Sequence, residues 1–324
     1  MLQRLSRCFT FQRNVVTVED EVSALAIEYA RTHTVSKPWG VADPRPWSNV
    51  RRDGKTIGEI WYKRLGSKTP DTALLLKLLF TSQPLSIQVH PDDAFARSIG
   101  LPNGKTEAWY VLSCTPDAEV ALGLKERLTS QQLRQAAEDG SIAGLVAWRA
   151  VAQGDTILVP AGTIHAIGGG LVIAEIQQCS DATFRLYDHG RQRELQIEDA
   201  IAVADVGPAK FQVAPTRLAD ARTLLISDTH FIFERIDLAP RSEWCLAAKQ
   251  ETWLLVVDGA ARTGSFDVAK GDAVFACADR VDIHAGETGM VGLVAYKGVG
   301  ADPDLLRLRG STAVSTDGCM ETIQ

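Results

Sequence analysis

The stretch Gly154-Asp-Thr-Ile-Leu-Val-Pro160-Ala-Gly162-Thr-Ile-His165 decides how this chain is read. Its Gly-Asp pair suits a tight turn, and residues 156–159 are a short apolar run with the β-branched bias of a strand. The Pro160-Ala161-Gly162 turn ends that run, because proline has no N–H to offer a ladder. A second strand then starts at His165, and since side chains alternate across a strand, this histidine can point into the interior of a sheet structure. A single strand histidine is by itself ordinary structure, so its meaning depends on what else faces the same way.

Upstream, Ser86-Ile87-Gln88-Val89-His90-Pro91 supplies the partner. Residues two apart share a face of an extended strand, so Ser86, Gln88 and His90 project together while Ile87 and Val89 pack on the other side. Glu107, in Gly104-Lys105-Thr106-Glu107-Ala108-Trp109-Tyr110, adds a carboxylate at the start of the next apolar strand. Two imidazoles, a carboxylate and an amide oxygen form a nitrogen and oxygen set suited to zinc, with room for water or substrate.

Short strand-like runs at 57–64, 73–80, 85–90, 108–112, 156–159, 171–177 and 183–187, separated by Gly, Pro, Asp or Ser, predict an all-β barrel or double sheet. A helix is predicted over 19–30. A small helical insertion is predicted near 125–150, where Thr129 caps a helix that ends at Gly140. The first domain would span 1–214 and carry the metal; the second, 215–324, would be a degenerate barrel without one. A weak internal repeat supports two copies: 153–160 resembles 270–277, and Glu107-Ala-Trp resembles Glu251-Thr-Trp. The first offset sets Asp282 where the first copy has His165, with His284 as a nearby stray.

Bulk properties narrow the function. With 324 residues, 45% hydrophobic and 23% charged, the chain can bury a large core. A formal net charge of -6 and a pI near 5.6 give no basic field, so neither nucleic acid nor a membrane is an expected partner. Cys8, Cys114, Cys179, Cys245, Cys277 and Cys319 form no Cys-x-x-Cys pair and read as reduced thiols. A cytoplasmic location is expected, although Arg4, Arg7 and Arg13 with no acid before Glu19 also suit a short presequence.

Gly154 to His165 resembles the second sequence motif of the cupin superfamily, a resemblance that implies an all-β fold of two cupin (jelly-roll) barrels. Gln88-Val-His-Pro-Asp-Asp, Gly104-Lys-Thr-Glu-Ala-Trp-Tyr, Pro160-Ala-Gly-Thr-Ile-His-Ala-Ile and Glu175-Ile-Gln-Gln-Cys-Ser-Asp-Ala-Thr-Phe-Arg-Leu-Tyr-Asp-His-Gly-Arg191 follow the order found in type I mannose-6-phosphate isomerases. That resemblance implies one zinc ion held by Gln88, His90, Glu107 and His165. It also implies interconversion of mannose 6-phosphate and fructose 6-phosphate through a cis-enediol. Arg191 is the matching family arginine, a second cation beside the enediolate, and Lys105 is the candidate proton-transfer base. Ser86 and Lys77 match family positions that line the substrate pocket, and Lys125 is a further candidate for the phosphate. Longer family members carry His-Lys-Pro-Glu where this chain has Gly104-Lys105-Thr106-Glu107, so no histidine precedes the lysine.

Two other classes compete. The metal set alone would also suit an iron-dependent cupin oxygenase, but Lys105, Lys77 and Arg191 would serve no purpose with an apolar substrate. A phosphosugar-binding sensor that kept the barrel without turnover would share every residue named above.

Overall fold

The computed structural model describes residues 27–50, 54–64, 72–209 and 214–309. Every strand expected in the first half is present, and three antiparallel sheets organise the chain. A six-stranded sheet runs in the order Arg31–Val35, Glu59–Lys63, Leu74–Thr81, Leu171–Gln178, Glu107–Cys114, Thr156–Val159. A five-stranded sheet runs Phe184–Tyr187, Ile87–Val89, His165–Ile167, Glu119–Leu124, Val146–Ala150. The inner faces of these two sheets share an apolar core that includes Trp39, Leu79, Trp109, Val120, Ile157 and Ile173.

The fold is the expected cupin type, but the sheets are open paths rather than closed barrels. Pro160 directly follows Thr156–Val159, and Pro91 lies one residue beyond the His90 that follows Ile87–Val89; neither can donate to a continuing ladder.

The outer face of the five-stranded sheet is covered by helices. Ser130–Asp139 starts with a capping box between Thr129 and Gln132 and ends at Gly140, whose positive φ of 80° suits glycine. Leu133, Ala136 and Ala137 lie on its buried face and share a core with Ile87, Val89 and Ala200 of the helix Ile197–Val203. Ile87 and Val89 therefore point away from the site into a helix-covered core, which fixes Gln88 on the opposite face.

The third sheet has ten strands and is built mainly from residues 216–308, including the long strands Thr252–Thr263 and Asp279–Tyr296. It packs on the outer face of the six-stranded sheet, where Ile60, Leu76, Leu78, Phe80 and Tyr110 meet Phe231, Phe233, Trp253 and Phe275. Leu74–Thr81 is buried along its whole length because both of its faces are covered.

Ile27–Tyr29 also joins the ten-stranded sheet, pairing antiparallel with Ala273–Ala276. These three residues were expected to end a helix over 19–30; residues 19–26 lie outside the described residues. The strand wins because Ile27 packs on the apolar core of this sheet and the Tyr29 ring stands 5.9 Å from that of Phe266.

The internal repeat is real in its turns and shifted in its strands. Gly154 and Gly271 both have positive φ, and Ala152 and Ala269 donate to Asp155 and Asp272, each at 2.9 Å. Trp109, however, stands opposite Ile157, whereas Leu254 rather than Trp253 stands opposite Val274. A slip of one residue exchanges faces, so Trp253 enters the core between the sheets. Cys114, Cys179, Cys245 and Cys277 are free thiols.

Candidate metal centre

His90, Glu107 and His165 lie close enough to hold one metal ion, and they are the one such group of His, Cys, Asp and Glu among the described residues. Three segments bring them together. His90 follows the strand Ile87–Val89, His165 opens its own strand directly opposite Gln88, and Glu107 opens the facing sheet's strand Glu107–Cys114. All three are 1% exposed, which for a carboxylate calls for a partner.

Each imidazole is oriented by its remote nitrogen. His90 Nδ1 lies 2.8 Å from the Ala182 carbonyl and His165 Nδ1 lies 2.8 Å from the Thr163 carbonyl, so each Nδ1–H donates outward. That leaves both Nε2 lone pairs facing Glu107, at 3.4 Å and 3.5 Å. Burial, followed by the neighbouring Lys105, lowers the His90 pKa to about 3, and burial lowers that of His165. Neutral imidazoles held in one tautomer by backbone carbonyls are what a metal ligand requires.

Lys105 reaches the same point. Its Nζ donates to Glu107 Oε2 and lies 2.8 Å from His90 Nε2. Burial pulls its pKa down, but Glu107 and Glu175 outweigh that and raise it. Paired with Glu107, Lys105 is therefore held as an ammonium. Burial opposes the Glu107 charge, yet Lys105 and His90 hold its carboxyl well below the usual range.

Gln88 faces the centre too, with Nε2 3.2 Å from His165 Nε2 and Oε1 accepting from the Ser86 hydroxyl at 2.9 Å. The two ends of an amide are set by its hydrogen bonds, and a half-turn about the last bond would present Oε1 to the centre. The donors thus fit zinc: two neutral nitrogens, a carboxylate and an available amide oxygen.

A cavity of about 410 Å³ opens onto this group. Ser86, Gln88, Lys105 and Glu107 line it, as does Lys77, which is 5% exposed and points inward rather than snorkelling at a strand edge. Lys77 Nζ bonds Gln177 Oε1 at 2.6 Å, lies 3.3 Å from Glu175, and sits 4.9 Å from the centre of the Trp61 ring. Trp109, Glu175, Lys77, Trp61 and His33 fall opposite one another across five strands, a single rung along the cavity side of the sheet.

Two expected residues are elsewhere. Arg191 does not line the cavity; it curls back three residues onto Asp188 Oδ1 at 2.9 Å and bonds the Pro84 carbonyl at 2.8 Å. Lys125 is exposed, with its Nζ on the Gly144 carbonyl at 2.7 Å. Arg185 and Arg193 line the cavity instead. Arg193 pairs with Asp188, but the Nε of Arg185 is buried without a hydrogen-bond partner among the described residues. Burial and then Arg193 lower the Arg185 pKa. Arg185 stands opposite Gln88, and the alternation of buried Phe184 and Leu186 around it was the available sign.

No family model matches the chain. It is similar to a mannose-6-phosphate isomerase of Streptococcus mutans, 40% identical over 172 residues that make up 51% of this chain and 54% of that protein. It is also similar to a mannose-6-phosphate isomerase of Bacillus subtilis, 34% identical over 242 residues, 68% of this chain and 75% of that protein. The chain thus spans about half the length of the first and three quarters of the second. Among solved structures it is similar to the mannose 6-phosphate isomerase from Bacillus subtilis, with a TM-score of 0.73 and 25% identity, over 84% of this chain and 99% of that one.

Proposed function

This chain belongs to the mannose-6-phosphate isomerase family, and from that premise we propose that it interconverts mannose 6-phosphate and fructose 6-phosphate through a cis-enediol, using zinc. The observation that carries the reading is the convergence of two neutral imidazoles on Glu107 and the Lys105 ammonium, which line a polar cavity. His90, Glu107 and His165, with Gln88, would hold the ion. Bound there, zinc would supply Lewis-acid charge next to the oxygens on C1 and C2.

The remaining steps belong to side chains. The reaction moves a proton between C2 and C1, and Lys105 Nζ would carry it once Glu107, drawn to the ion, no longer holds it as an ammonium. The enediolate needs positive charge beside it, and Arg185, whose Nε has no hydrogen-bond partner among the described residues, takes over the role first expected of Arg191. Ser86 and Lys77 are donors for the substrate's hydroxyl and phosphate oxygens. The proposal places the protein in the cytoplasm, where phosphorylated hexoses are made and kept. No helix among the described residues is long and apolar enough to cross a membrane.

A coupled assay of mannose 6-phosphate conversion tests the reading: turnover lost to a chelator and restored by zinc is expected. A zinc-loaded protein that turns over no hexose phosphate would transfer the weight to a binding role. The arginine assignment has its own test. Arg185→Ala is expected to lower kcat by roughly 10²-fold or more, the range for removing one preorganised donor to a developing oxyanion. Arg191→Ala should leave kcat within about fivefold, a barrier change of about 1 kcal/mol, since Arg191 does not line the cavity and Arg193 still holds Asp188. The reverse ranking would restore Arg191.

A further inference from the structure

The four residues 104–107 carry both Lys105 and Glu107, and all four are buried, although strand structure begins only at Glu107. Something other than a ladder must fix their backbone. Gly104 N–H donates to Asp93 Oδ1 at 2.8 Å, Lys105 N–H to the Pro91 carbonyl at 2.9 Å, and Thr106 N–H to Gln178 Oε1 at 2.9 Å. Gln178 returns the contact: its backbone N–H donates to the Thr106 carbonyl at 3.1 Å, and its Nε2 donates to the same Asp93 Oδ1 at 2.9 Å. The Thr106 hydroxyl accepts from Ala161 N–H at 3.1 Å, in the turn that precedes His165.

The result is a closed ring of hydrogen bonds through Asp93, Gly104, Thr106 and Gln178. Gly104 is required for it, since a Cβ there would stand 2.4 Å from the Asp92 carbonyl carbon and 2.6 Å from the Asp93 nitrogen. This packing also explains why no histidine side chain precedes Lys105 in this chain. Burial works to raise the Asp93 carboxyl pKa, but the bonds from Gly104 and Gln178, with His230 and Arg97 nearby, hold it below the usual range. Asp93 is thus a charged acceptor, the stronger kind. Neither Asp93 nor Gln178 lines the cavity, so neither is placed to touch substrate.

We propose that Asp93 and Gln178 are positioning residues for the metal centre, locking segment 104–107 so that Glu107 meets His90 and His165 in ligand geometry. The inference rests on the reading that these three residues hold zinc, and not on which sugar is turned over. Partners that orient metal ligands contribute about 10- to 100-fold in metal affinity. Both bonds to Asp93 land on Oδ1, an oxygen that asparagine keeps and alanine lacks, so the two substitutions should separate.

The test is zinc affinity of the full chain by chelator competition, with the unfolding transition followed in parallel. Gln178→Met and Asp93→Ala are expected to weaken zinc binding about tenfold or more, and Asp93→Asn to stay within about threefold of the original protein. Unchanged affinity in both Gln178→Met and Asp93→Ala would overturn the proposal. So would an Asp93→Asn variant as weak as Asp93→Ala, which would mean that charge rather than the hydrogen bonds matters. If Gln178→Met does not fold, the Asp93 pair decides alone, because that side chain is 37% exposed and its loss opens no core. A protein that shows this affinity pattern yet never turns over mannose 6-phosphate would refute the isomerase reading and leave the positioning role standing.

Discussion

Glu107→Ala is expected to abolish stoichiometric zinc binding and detectable turnover together, and to lower the unfolding free energy by about 3–5 kcal/mol, the cost of stranding one partner of a buried ion pair. Glu107 is 1% exposed and is the group on which the centre converges. It accepts from Lys105 and from Trp109 Nε1 at 3.1 Å, and it stands between the two imidazoles. Removing it leaves the ammonium of Lys105, 5% exposed, with only a neutral imidazole in direct contact and with Glu175 nearby. The two losses have different origins and can be separated. Adding Lys105→Met removes the stranded charge, so Glu107→Ala/Lys105→Met should recover most of the stability and none of the zinc. Stoichiometric zinc in Glu107→Ala would remove Glu107 from the ligand set. Full stability in that variant would mean that water reaches Lys105.

The cluster of His90, Glu107 and His165 was legible because its signals are local. Ser86, Gln88 and His90 follow the two-residue period of a strand, and His165 follows a turn whose Gly and Pro leave few conformations. What failed was whatever depended on the direction of a long side chain or on pairing across the chain. Arg191 was chosen from its place in a motif, but a loop arginine three residues from an aspartate can satisfy itself at home, as the bond to Asp188 does. Arg185 was already inside an expected strand, and only its face had gone unread. Lys125 directly follows the strand Glu119–Leu124, and its ammonium bonds the Gly144 carbonyl, outside the cavity.

The same division holds for the fold. Strand positions follow from alternation and turn residues, whereas open paths in place of closed barrels depend on which distant edges meet. Ile27–Tyr29 is too short for its own pattern to separate helix from strand, and a partner far along the chain, Ala273–Ala276, settles it. The Trp109 and Trp253 match shows the limit most directly, because the sequence repeats in the turns while the adjoining strand is displaced by one residue.

In the ten-stranded sheet the buried pair is Arg222 with Glu234, and its removal should be the largest purely structural effect in the chain. Glu234→Ala is expected to cost about 3–5 kcal/mol of stability while leaving zinc affinity unchanged. Glu234 faces an otherwise apolar core with Ile232, Ile236 and Val294, and it is fully buried. Arg222 grips it through Nε at 2.9 Å and a terminal nitrogen at 2.8 Å, and the Tyr296 hydroxyl donates to it at 2.6 Å. Alanine would leave the Arg222 guanidinium, itself 5% exposed, and the tyrosine hydroxyl without their acceptor. Desolvating two charges offsets much of their attraction, however, so the pair itself contributes far less than breaking it costs. Arg222→Met/Glu234→Leu, which removes both charges at similar volume, should therefore be neutral or stabilising by up to about 4 kcal/mol. Denaturant unfolding of the single and double variants measures both signs. A single variant that loses less than about 1 kcal/mol would mark the pair as solvated, the range of an exposed ion pair. A double variant as unstable as the single would mean that the bonds to Tyr296 and the Pro303 carbonyl, and not the stranded charge, are what this cluster contributes.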